Sequence, residues 1–385
     1  MKRMLLLCLW PALALAQAVP ECEPETDILV TAATGKRIKA ALRNKQFAAV
    51  EDELNDKLKR YENGAYSDLT LLQELMSAAD GDSALEPLLA QWVAEKPRSF
   101  FAHLLKGAHH YSVGYKKRGG GFTSATSAAQ FAAMKAENVK ALPEYKLAMD
   151  LRPNSGLVYA GLIQIAAADY GAEAVRGLLA KSIALDPKNM AARRQAISFL
   201  TPKWGGSVED QDDILKQAQR SQLGDKKIRS IQYWIETTKA DHFRVVSKEL
   251  PKAIVAWRKA AQICPSVDPW RRISEIAYGL GDWKTTKEAA SHVIAANPNA
   301  PLNLARRGWS NEKLGLIDEA IKDYEAAADL GDAWAQGQFG TFLMRGQFVP
   351  KDWPRARRLL QSAAAKGDAT AKTNLDWLNL QMRIK

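Results

Sequence analysis

A recurring period of 33 to 34 residues constrains the fold of this chain more than any other feature. Proline follows a helical segment at Pro153 and again 34 residues later at Pro187. Pro265 and Pro298 are separated by 33 residues. Proline cannot continue a helix, and repeats of this length are helix pairs that cannot bury their apolar faces alone. The period therefore predicts an all-α fold in which antiparallel helix pairs stack into an elongated α-solenoid.

One unit of this kind runs from Pro301 to Gly331. Gly315 is placed at a turn, where a helix commonly ends in a left-handed residue, and Asp318 is placed to start the second helix. Small residues stand where two helix backbones must approach each other, at Gly308, Ala320 and Ala327. The apolar residues between and around the predicted helices are Leu304, Ile317, Ile321, Tyr324 and Leu330. The unit is thus predicted to be two short helices packed back to back.

Counted from Pro301, four residues of this unit occupy the small and aromatic signature positions of the tetratricopeptide repeat (TPR): Gly308, Ala320, Tyr324 and Ala327. The unit resembles that repeat, although Asp332 stands where the family usually has a proline. The resemblance implies a right-handed superhelix. It also implies a concave groove, lined by the first helix of each pair, in which extended peptides or partner helices lie.

The next unit resembles a Sel1-like repeat, a relative of the TPR with a longer turn between its helices. The matching positions are Ala333-Trp334-Ala335, Phe339-Gly340, Gly346, Val349-Pro350-Lys351-Asp352, Ala356, Ala363-Ala364 and Gly367. Gly331 and Gly367 are 36 residues apart, which is one repeat of that type. The residues from Ala369 to Leu380 are predicted to form a final capping helix.

The first half of the chain resembles a different group of proteins. From about Gly35 to Arg220 it is similar to a bacterial family known only as a domain of unknown function, itself a run of repeat-like helix pairs. The motifs that carry the resemblance are Trp92-Val93, Pro97, Lys117-Arg118-Gly119, Ala148 to Pro153, Leu185-Asp186-Pro187 and Pro202 to Ser207. The resemblance supports the fold and implies no activity.

The N-terminus has the pattern of a secretory signal peptide. Lys2 and Arg3 precede an apolar run that is too short to span a bilayer, and small residues follow at Ala16 and Ala18. A membrane anchor is the alternative. No other stretch is a candidate membrane span, so we expect a periplasmic or secreted protein. The whole chain then divides into a signal peptide (1–18), an extended tail (19–34), a TPR-like helical region (35–222), TPR repeats (223–332), and a Sel1-like repeat with a capping helix (333–385).

Charge and cysteine usage add two expectations. The net charge of +11 falls to +9 without Lys2 and Arg3, which favours an acidic partner. Cys8 leaves with the signal peptide, so Cys22 and Cys264 remain. An oxidising compartment would allow one disulfide between them. The alternative is two unpaired thiols, with Cys264 acting as a small buried apolar residue.

A basic, glycine-rich stretch is predicted to interrupt the helical pattern after Tyr115. It consists of Lys116, Lys117, Arg118, Gly119, Gly120 and Gly121. The backbone N–H groups of such a loop can cradle an anion, and the alternative is a flexible, solvated loop between helices. Three histidines precede it, at His103, His109 and His110, but no acidic residue lies between Pro97 and Ala136. We therefore do not expect a metal site there.

No motif predicts catalysis. The nucleophile elbow, the zinc-protease helix motif, the paired-cysteine motif and the dinucleotide glycine pattern are all absent from the sequence. Acidic clusters at 51–53 and 209–213 are interpreted as solvated helix starts or faces. We expect a protein that is not an enzyme and needs no cofactor, and no small-molecule substrate is evident.

Binding remains as the expected function. Carried over by position from the TPR, the residues that face the groove are Arg194, Arg271, Glu275, Arg306, Trp309 and Lys313. Arginine pairs well with carboxylates, so we expect an acidic peptide or the C-terminus of a partner protein; the alternative is ordinary solvated surface. The favoured function is an interaction scaffold of the cell envelope. A binder of an acidic glycan or nucleic acid, acting through the basic loop, comes second, and an enzyme with an unrecognised site third.

Overall fold

The computed structural model describes residue 22, residues 28–119 and residues 126–384. Within these residues the chain forms nineteen α-helices and no β-strand, which confirms the all-α prediction. None of the helices in this part of the chain has both the length and the apolar character needed to cross a bilayer. The predicted signal peptide, most of the predicted tail, and Gly120 and Gly121 of the basic loop lie outside the described residues.

The described residues up to Arg220 form ten α-helices, separated mostly by short turns. They are α1 (Ile28–Arg43), α2 (Phe47–Glu62), α3 (Asp68–Ala78), α4 (Glu86–Glu95), α5 (Phe100–Arg118), α6 (Ala128–Leu151), α7 (Gly156–Asp169), α8 (Ala172–Leu185), α9 (Ala191–Phe199) and α10 (Val208–Arg220). Short 3₁₀ turns at Ser83–Leu85 and Pro202–Trp204 precede α4 and α10.

The second half is a more regular stack in which each helix packs against the next one. Its helices are α11 (Asp225–Asp241), α12 (Leu250–Ile263), α13 (Val267–Leu280), α14 (Trp283–Ala296), α15 (Pro301–Lys313), α16 (Ile317–Asp329), α17 (Ala333–Arg345), α18 (Trp353–Ala365) and α19 (Ala369–Ile384). A π-helical turn, His242–Val246, follows α11. The predicted helix pair at 301–331 is present as α15 and α16, with Gly315 at the turn in the left-handed region.

In the part of the chain that the structure describes, the buried apolar side chains form three successive clusters. The first extends from Ile38 to Ala191, the second mainly from Tyr159 to Ala289, and the third from Leu304 to Leu378. The second cluster lies on both sides of the domain boundary predicted at 222/223. A core that continues from one pair to the next is the arrangement expected of an α-solenoid, because each unit buries its apolar face only against its neighbours.

Glycines allow neighbouring helices to approach closely in the first core. Tyr145 on α6 is buried, and its ring lies between Gly107 on α5 and Gly161 on α7. A Cβ atom at position 161 would lie 2.4 Å from Cζ of Tyr145, and one at position 107 would lie 3.1 Å from the same ring. The ring therefore fills the space that the two absent side chains leave.

Helix α1 begins earlier than the sequence predicts. The extended tail predicted for 19–34 is wrong for residues 28–34, which are helical. Gly35, expected to mark the start of the helix, lies inside it. A Cβ atom at Gly35 would lie 2.3 Å from Oγ of Ser77 on α3, so the glycine permits close packing of α1 on α3.

Helix α5 also continues beyond its predicted end. Lys116, Lys117 and Arg118 form its last turn, so the predicted interruption of the helix at Lys116 is wrong. Basic side chains in the last turn of a helix interact favourably with the helix dipole, so these three residues stabilise the helical conformation. Gly119, with φ of +80°, ends the helix.

Two smaller differences concern helix termini in the last units. Asp318 lies in the first turn of α16, whereas the residue at the N-cap is Leu316. An acidic residue in the first turn still interacts favourably with the helix dipole. The capping helix α19 continues to Ile384, four residues past the predicted Leu380.

A buried carboxylate joins the first core to the second. Asp68, the first residue of α3, is 3% exposed. It accepts hydrogen bonds of 2.8 Å from the backbone N–H groups of Met190 and Ala191 at the start of α9. The first N–H groups of a helix have no partner within the helix, so Asp68 supplies one from more than 120 positions away in the sequence.

A disulfide joins Cys22 to Cys264, whose Cα atoms are 5.6 Å apart. Cys264 is the C-cap residue of α12 and is buried, and Cys22 is half-buried against the second core cluster. The two cysteines are separated by 242 positions, so the bridge fastens the N-terminal segment to the middle of the solenoid.

Candidate functional site

Aromatic side chains form a row across the last helix pairs. The ring of Trp309 on α15 lies 6.5 Å from that of Trp283 on α14 and 5.3 Å from that of Trp334 on α17, centroid to centroid. Trp334 also lies 5.5 Å from the ring of buried Tyr324. Edge-to-face rings at these distances pack favourably. The three tryptophans are only half-buried, so part of the row remains accessible.

Arg306 has the least satisfied charge of the predicted groove residues. Its guanidinium carbon lies 5.8 Å from the ring centroid of Tyr278 on α13, and the side chain is half-buried. Burial lowers the pKa of Arg306, and the nearby carboxylate of Glu275 opposes that shift. Among the described residues, none accepts a hydrogen bond from this guanidinium or forms an ion pair with it. Five N–H donors in a partly dry position are well suited to a carboxylate.

Lys313 continues the cationic surface along the same helix. Its Nζ lies 4.3 Å from the ring centroid of Trp309, which is a cation–π geometry. Arg306, Trp309 and Lys313 are spaced three and four positions apart, so they share one face of α15. The structure thus brings together three of the six predicted groove residues.

The other three predicted groove residues have different surroundings. Arg271 is exposed and forms an ion pair with Asp268, three positions earlier on its own helix. Glu275 lies on the same helix, α13, close enough to Arg306 to influence its pKa. Arg194 lies on α9, in another part of the solenoid.

Arg194 lines a cavity of about 360 Å³ near the C-terminal ends of α9 and α11. Its Nη1 donates a 2.7 Å hydrogen bond to Oγ of Ser198, and its guanidinium carbon lies 5.4 Å from the ring centroid of Trp234. The other lining residues are largely basic, hydroxyl or aromatic, and include Lys203, Trp204, Thr237, Thr238, His242 and Arg244. No motif indicated this cavity, because its described walls come from two separate stretches of the chain, 194–204 and 237–246.

The basic residues of the predicted anion loop are mostly engaged within the α5–α6 pair. Lys117 Nζ lies 2.7 Å from Oε1 of Glu137, and Arg118 is 5% exposed. Arg118 donates a 3.2 Å hydrogen bond to the carbonyl oxygen of Gly119. Lys116 alone of the three basic residues is exposed and has no partner in the described part of the chain.

Carboxylates from α6 reach the histidines of α5. Nδ1 of His103 lies 2.6 Å from Oε2 of Glu144, and Nδ1 of His110 lies 3.1 Å from Oε2 of Glu137. His109 is fully buried, its ring nitrogens have no partner in the described structure, and burial lowers its pKa. Across residues 28–119 and 126–384, no three His, Cys, Asp or Glu side chains are arranged to hold a metal ion.

Glu137 holds several donors of the α5–α6 pair together. Although burial raises its pKa, hydrogen bonds from Lys117, Lys140 and His110 lower the pKa of Glu137 to about 2. The carboxylate is therefore ionised at neutral pH and binds three donors at once. The sequence carries no sign of this cluster, because its members meet only when α5 and α6 pack together.

A second cavity, of about 500 Å³, lies where the ends of α2 and α6 meet the starts of α3 and α11. Its described lining carries equal numbers of carboxyl groups and cations: Glu62, Asp68 and Asp186, and Arg152, Lys188 and Lys227. The hydroxyl of Tyr61 donates a 2.8 Å hydrogen bond to Oδ2 of Asp186, and Arg152 donates a 2.9 Å hydrogen bond to Oε1 of Glu62. This balance leaves the cavity without a strong preference for a charged ligand.

Comparison with known proteins yields a family match and several distant structural neighbours. Residues 36–174 match the family model described as Domain of unknown function (DUF4034). No curated protein matches the sequence. The match ends well before Arg220, to which the sequence resemblance was expected to extend.

Three solved structures illustrate the distant likeness. The protective antigen c5321 of uropathogenic Escherichia coli, which displays an SLR fold, has 15% identity and a TM-score of 0.36, covering 91% of this chain and 79% of that one. A Sel1 repeat protein from Oxalobacter formigenes has 19% identity and a TM-score of 0.31, covering 55% and 98%. Yeast Tom70 has 13% identity and a TM-score of 0.29, covering 92% and 89%. Scores this low say nothing about binding or activity.

The fold assignment therefore rests on the helices of this chain and on how they pack against one another. The chain is an α-solenoid of TPR-like and Sel1-like helix pairs whose residues 36–174 match the family of unknown function DUF4034.

Proposed function

We propose that this protein is an extracytoplasmic interaction scaffold that holds an acidic segment of a partner protein against α13, α15 and α17. The observation that carries the proposal is the half-buried Arg306, which has no acceptor among the described residues. A guanidinium that has already lost part of its hydration gains more from a bound carboxylate than an exposed one does.

The neighbouring side chains suit the rest of such a segment. Trp309 and Trp334 offer partly exposed aromatic surface, and Lys313 adds a second positive charge one turn beyond Trp309. Tryptophan, tyrosine and arginine are enriched among the few residues that carry most of the binding energy at protein interfaces. The combination favours a peptide in which acidic residues alternate with apolar ones.

The disulfide supports the proposed location. Disulfides persist in the periplasm and outside the cell and are rare in the cytoplasm, so the Cys22–Cys264 bridge fits an exported protein. Mass spectrometry of the protein from its native cells tests the location. We expect a mature N-terminus shortly after Ala16 or Ala18, and a chain that retains Met1 would contradict export by a cleaved signal.

A random-peptide array tests the binding proposal even though the partner is unidentified. The full chain should select peptides rich in Asp, Glu and apolar residues, and the binding should weaken with salt. Arg306→Ala and Trp309→Ala should each reduce affinity for the selected peptides about tenfold, which is about 1.4 kcal/mol. Arg357→Ala, which removes an exposed cation from α18, is the matched control and should bind like the wild type.

Two other outcomes would count against this binding mode. Selection of no acidic peptides, or selection that survives Arg306→Ala, would remove the proposed groove. Tighter binding to heparin or DNA than to any peptide, with a steep salt dependence, would favour the acidic-polymer alternative instead.

A further inference from the structure

We propose that the cavity near the ends of α9 and α11 binds a small molecule that carries a phosphate group attached to a ring. The proposed site is separate from the groove at Arg306 and does not depend on it. The cavity volume of about 360 Å³ lies in the range of about 300–1,000 Å³ that is usual for small-molecule sites.

The charge of the lining favours an anion. Among the described lining residues, Arg244 forms a 3.1 Å ion pair with Asp241, the one carboxylate, and Arg194 and Lys203 add two further positive charges. The C-terminal ends of α9 and α11 also lie here, and each contributes roughly half a negative charge. Side chains contribute a net charge of about +2 and the helix ends about −1, so the cavity remains positive.

Four residues with hydroxyl groups also line the cavity. Ser198 and Thr201 lie on the α9 side, and Thr237 and Thr238 lie in the last turns of α11. The two threonine hydroxyls on α11 bond to the carbonyl oxygen of Trp234 at 3.0 and 2.7 Å. A guanidinium pairs with two phosphate oxygens at once. The hydroxyls of Ser198, Thr237 and Thr238 already donate to backbone carbonyl oxygens, so among the described lining hydroxyls that of Thr201 is left to donate to a phosphate.

The π-helical turn forms one wall of the cavity. His242, Arg244, Val245 and Val246 all lie in this turn and all line the cavity. A π turn is less favourable than a continued α-helix and often occurs at functional sites. Nδ1 of His242 is buried and has no hydrogen-bond partner in the described structure, so a donor or acceptor is available on this wall.

An aromatic wall suits the ring of the ligand. Trp204 ends the Pro202–Trp204 turn, and its ring packs edge-to-face against Phe199 with centroids 5.4 Å apart. Flat rings and sugar rings pack well on such a surface. A cavity of about 360 Å³ accommodates a compact ligand better than an extended peptide, which needs a longer groove.

Isothermal titration calorimetry of the full chain tests the proposal with defined probes. The probes are glucose 6-phosphate and adenosine 5′-monophosphate. Each is compared with its unphosphorylated counterpart, glucose or adenosine, and with inorganic phosphate. At least one phosphorylated probe should bind ten times more tightly than its unphosphorylated counterpart and than inorganic phosphate. Arg194→Lys should weaken that binding about tenfold or more, because a bidentate pair is lost. Arg244→Ala should weaken it by a similar factor, because it removes a cation and leaves Asp241 as an unpaired carboxylate in the cavity.

Controls separate a lost site from a lost fold. Arg220→Ala, which removes an exposed cation from the outer helix α10, should bind the probe like the wild type. Circular dichroism melting should show that the variants remain folded, and their peptide selection at the groove should be unchanged. Lys203→Ala, at an exposed position, provides a second test if Arg244→Ala does not fold.

Three results would overturn the proposal. They are no heat of binding from either phosphorylated probe at millimolar concentration, equal affinity for each probe and its unphosphorylated counterpart, or binding that the cavity variants leave unchanged. Displacement of the probe by an acidic peptide that binds more tightly would also overturn it, and would assign the cavity to the partner protein. If the peptide array shows no binding at the groove but calorimetry detects a phosphorylated probe in the cavity, the proposed function fails and the small-molecule site is still supported.

Discussion

Gly308 on α15 lies directly against the ring of Tyr324 on α16, so that a Cβ atom at position 308 would be 2.8 Å from Cδ1 of that ring. Tyr324 is fully buried, and its hydroxyl donates a 2.7 Å hydrogen bond to Oε2 of Glu312. The ring is therefore held from two sides and has little room to move. This contact explains why the unit has a small residue and an aromatic one at these two positions.

Gly308→Ala should destabilise the protein because the added methyl group forces the buried ring to shift. Overpacking of this kind costs about 1–3 kcal/mol, which exceeds the gain of about 0.5–1 kcal/mol from replacing a helical glycine. Urea denaturation measures the net change. Gly177→Ala is the matched control, because no atom lies within 4 Å of a Cβ there, and it should stabilise the protein slightly. Equal stabilisation of both variants would show that Tyr324 does not restrict position 308.

The Cys22–Cys264 bridge should stabilise the protein by limiting its unfolded state. Loss of a native disulfide typically costs about 2–5 kcal/mol, and the long separation of these cysteines favours the upper part of that range. Dithiothreitol should lower the melting temperature of the wild type. The double variant Cys22→Ser/Cys264→Ser should melt at the lower temperature with or without dithiothreitol. A wild-type melting curve that is insensitive to the reductant would contradict the prediction.

Asp68→Ala should weaken the connection between the first two core clusters. It leaves the buried N–H groups of Met190 and Ala191 without their acceptor. Each buried donor left unsatisfied costs about 1–3 kcal/mol, so we expect a loss of about 2–4 kcal/mol in the free energy of unfolding. Asp212→Ala, at an exposed position on α10, should change it by less than about 0.5 kcal/mol. Similar results for the two variants would show that Asp68 does not cap α9.

Glu137 should make the stability of the protein fall in acid. Its folded-state pKa of about 2 lies below the ordinary value of 4.5, so its contribution is fully present above about pH 4.5 and is lost as the pH falls towards 2. Glu137→Gln should be less stable than the wild type at pH 7 and should lose less stability between about pH 5 and pH 3. Urea denaturation across this range measures the difference.

The control for this pH dependence is Glu319→Gln. Glu319 is exposed on α16 and forms no ion pair with another described residue. Its variant should therefore follow the wild-type profile from about pH 7 to pH 3. If Glu137→Gln also follows that profile, the carboxylate is not held by its three donors.

Local patterns were enough to predict most of the helices. The predicted helix pair at 301–331 is present as α15 and α16, and the predicted capping helix begins at Ala369, as α19 does. The signature at Gly308 and Tyr324 marked a helix pair because both residues act within one unit. The errors at Gly35 and at Lys116 have a common cause, since glycine and clustered basic residues are compatible with helix when a neighbouring helix or the helix dipole stabilises them.

The sequence by itself determined that the chain forms stacked helix pairs, because the periodicity of apolar and small residues is a local property that each unit repeats. Only the tertiary structure decided which side chains meet across units. Arg306 with Tyr278, Asp68 with the start of α9, and the basic residues around the cavity near Arg194 come from segments far apart in the chain. Their positions depend on how each pair is oriented against the next, and no local pattern specifies that orientation.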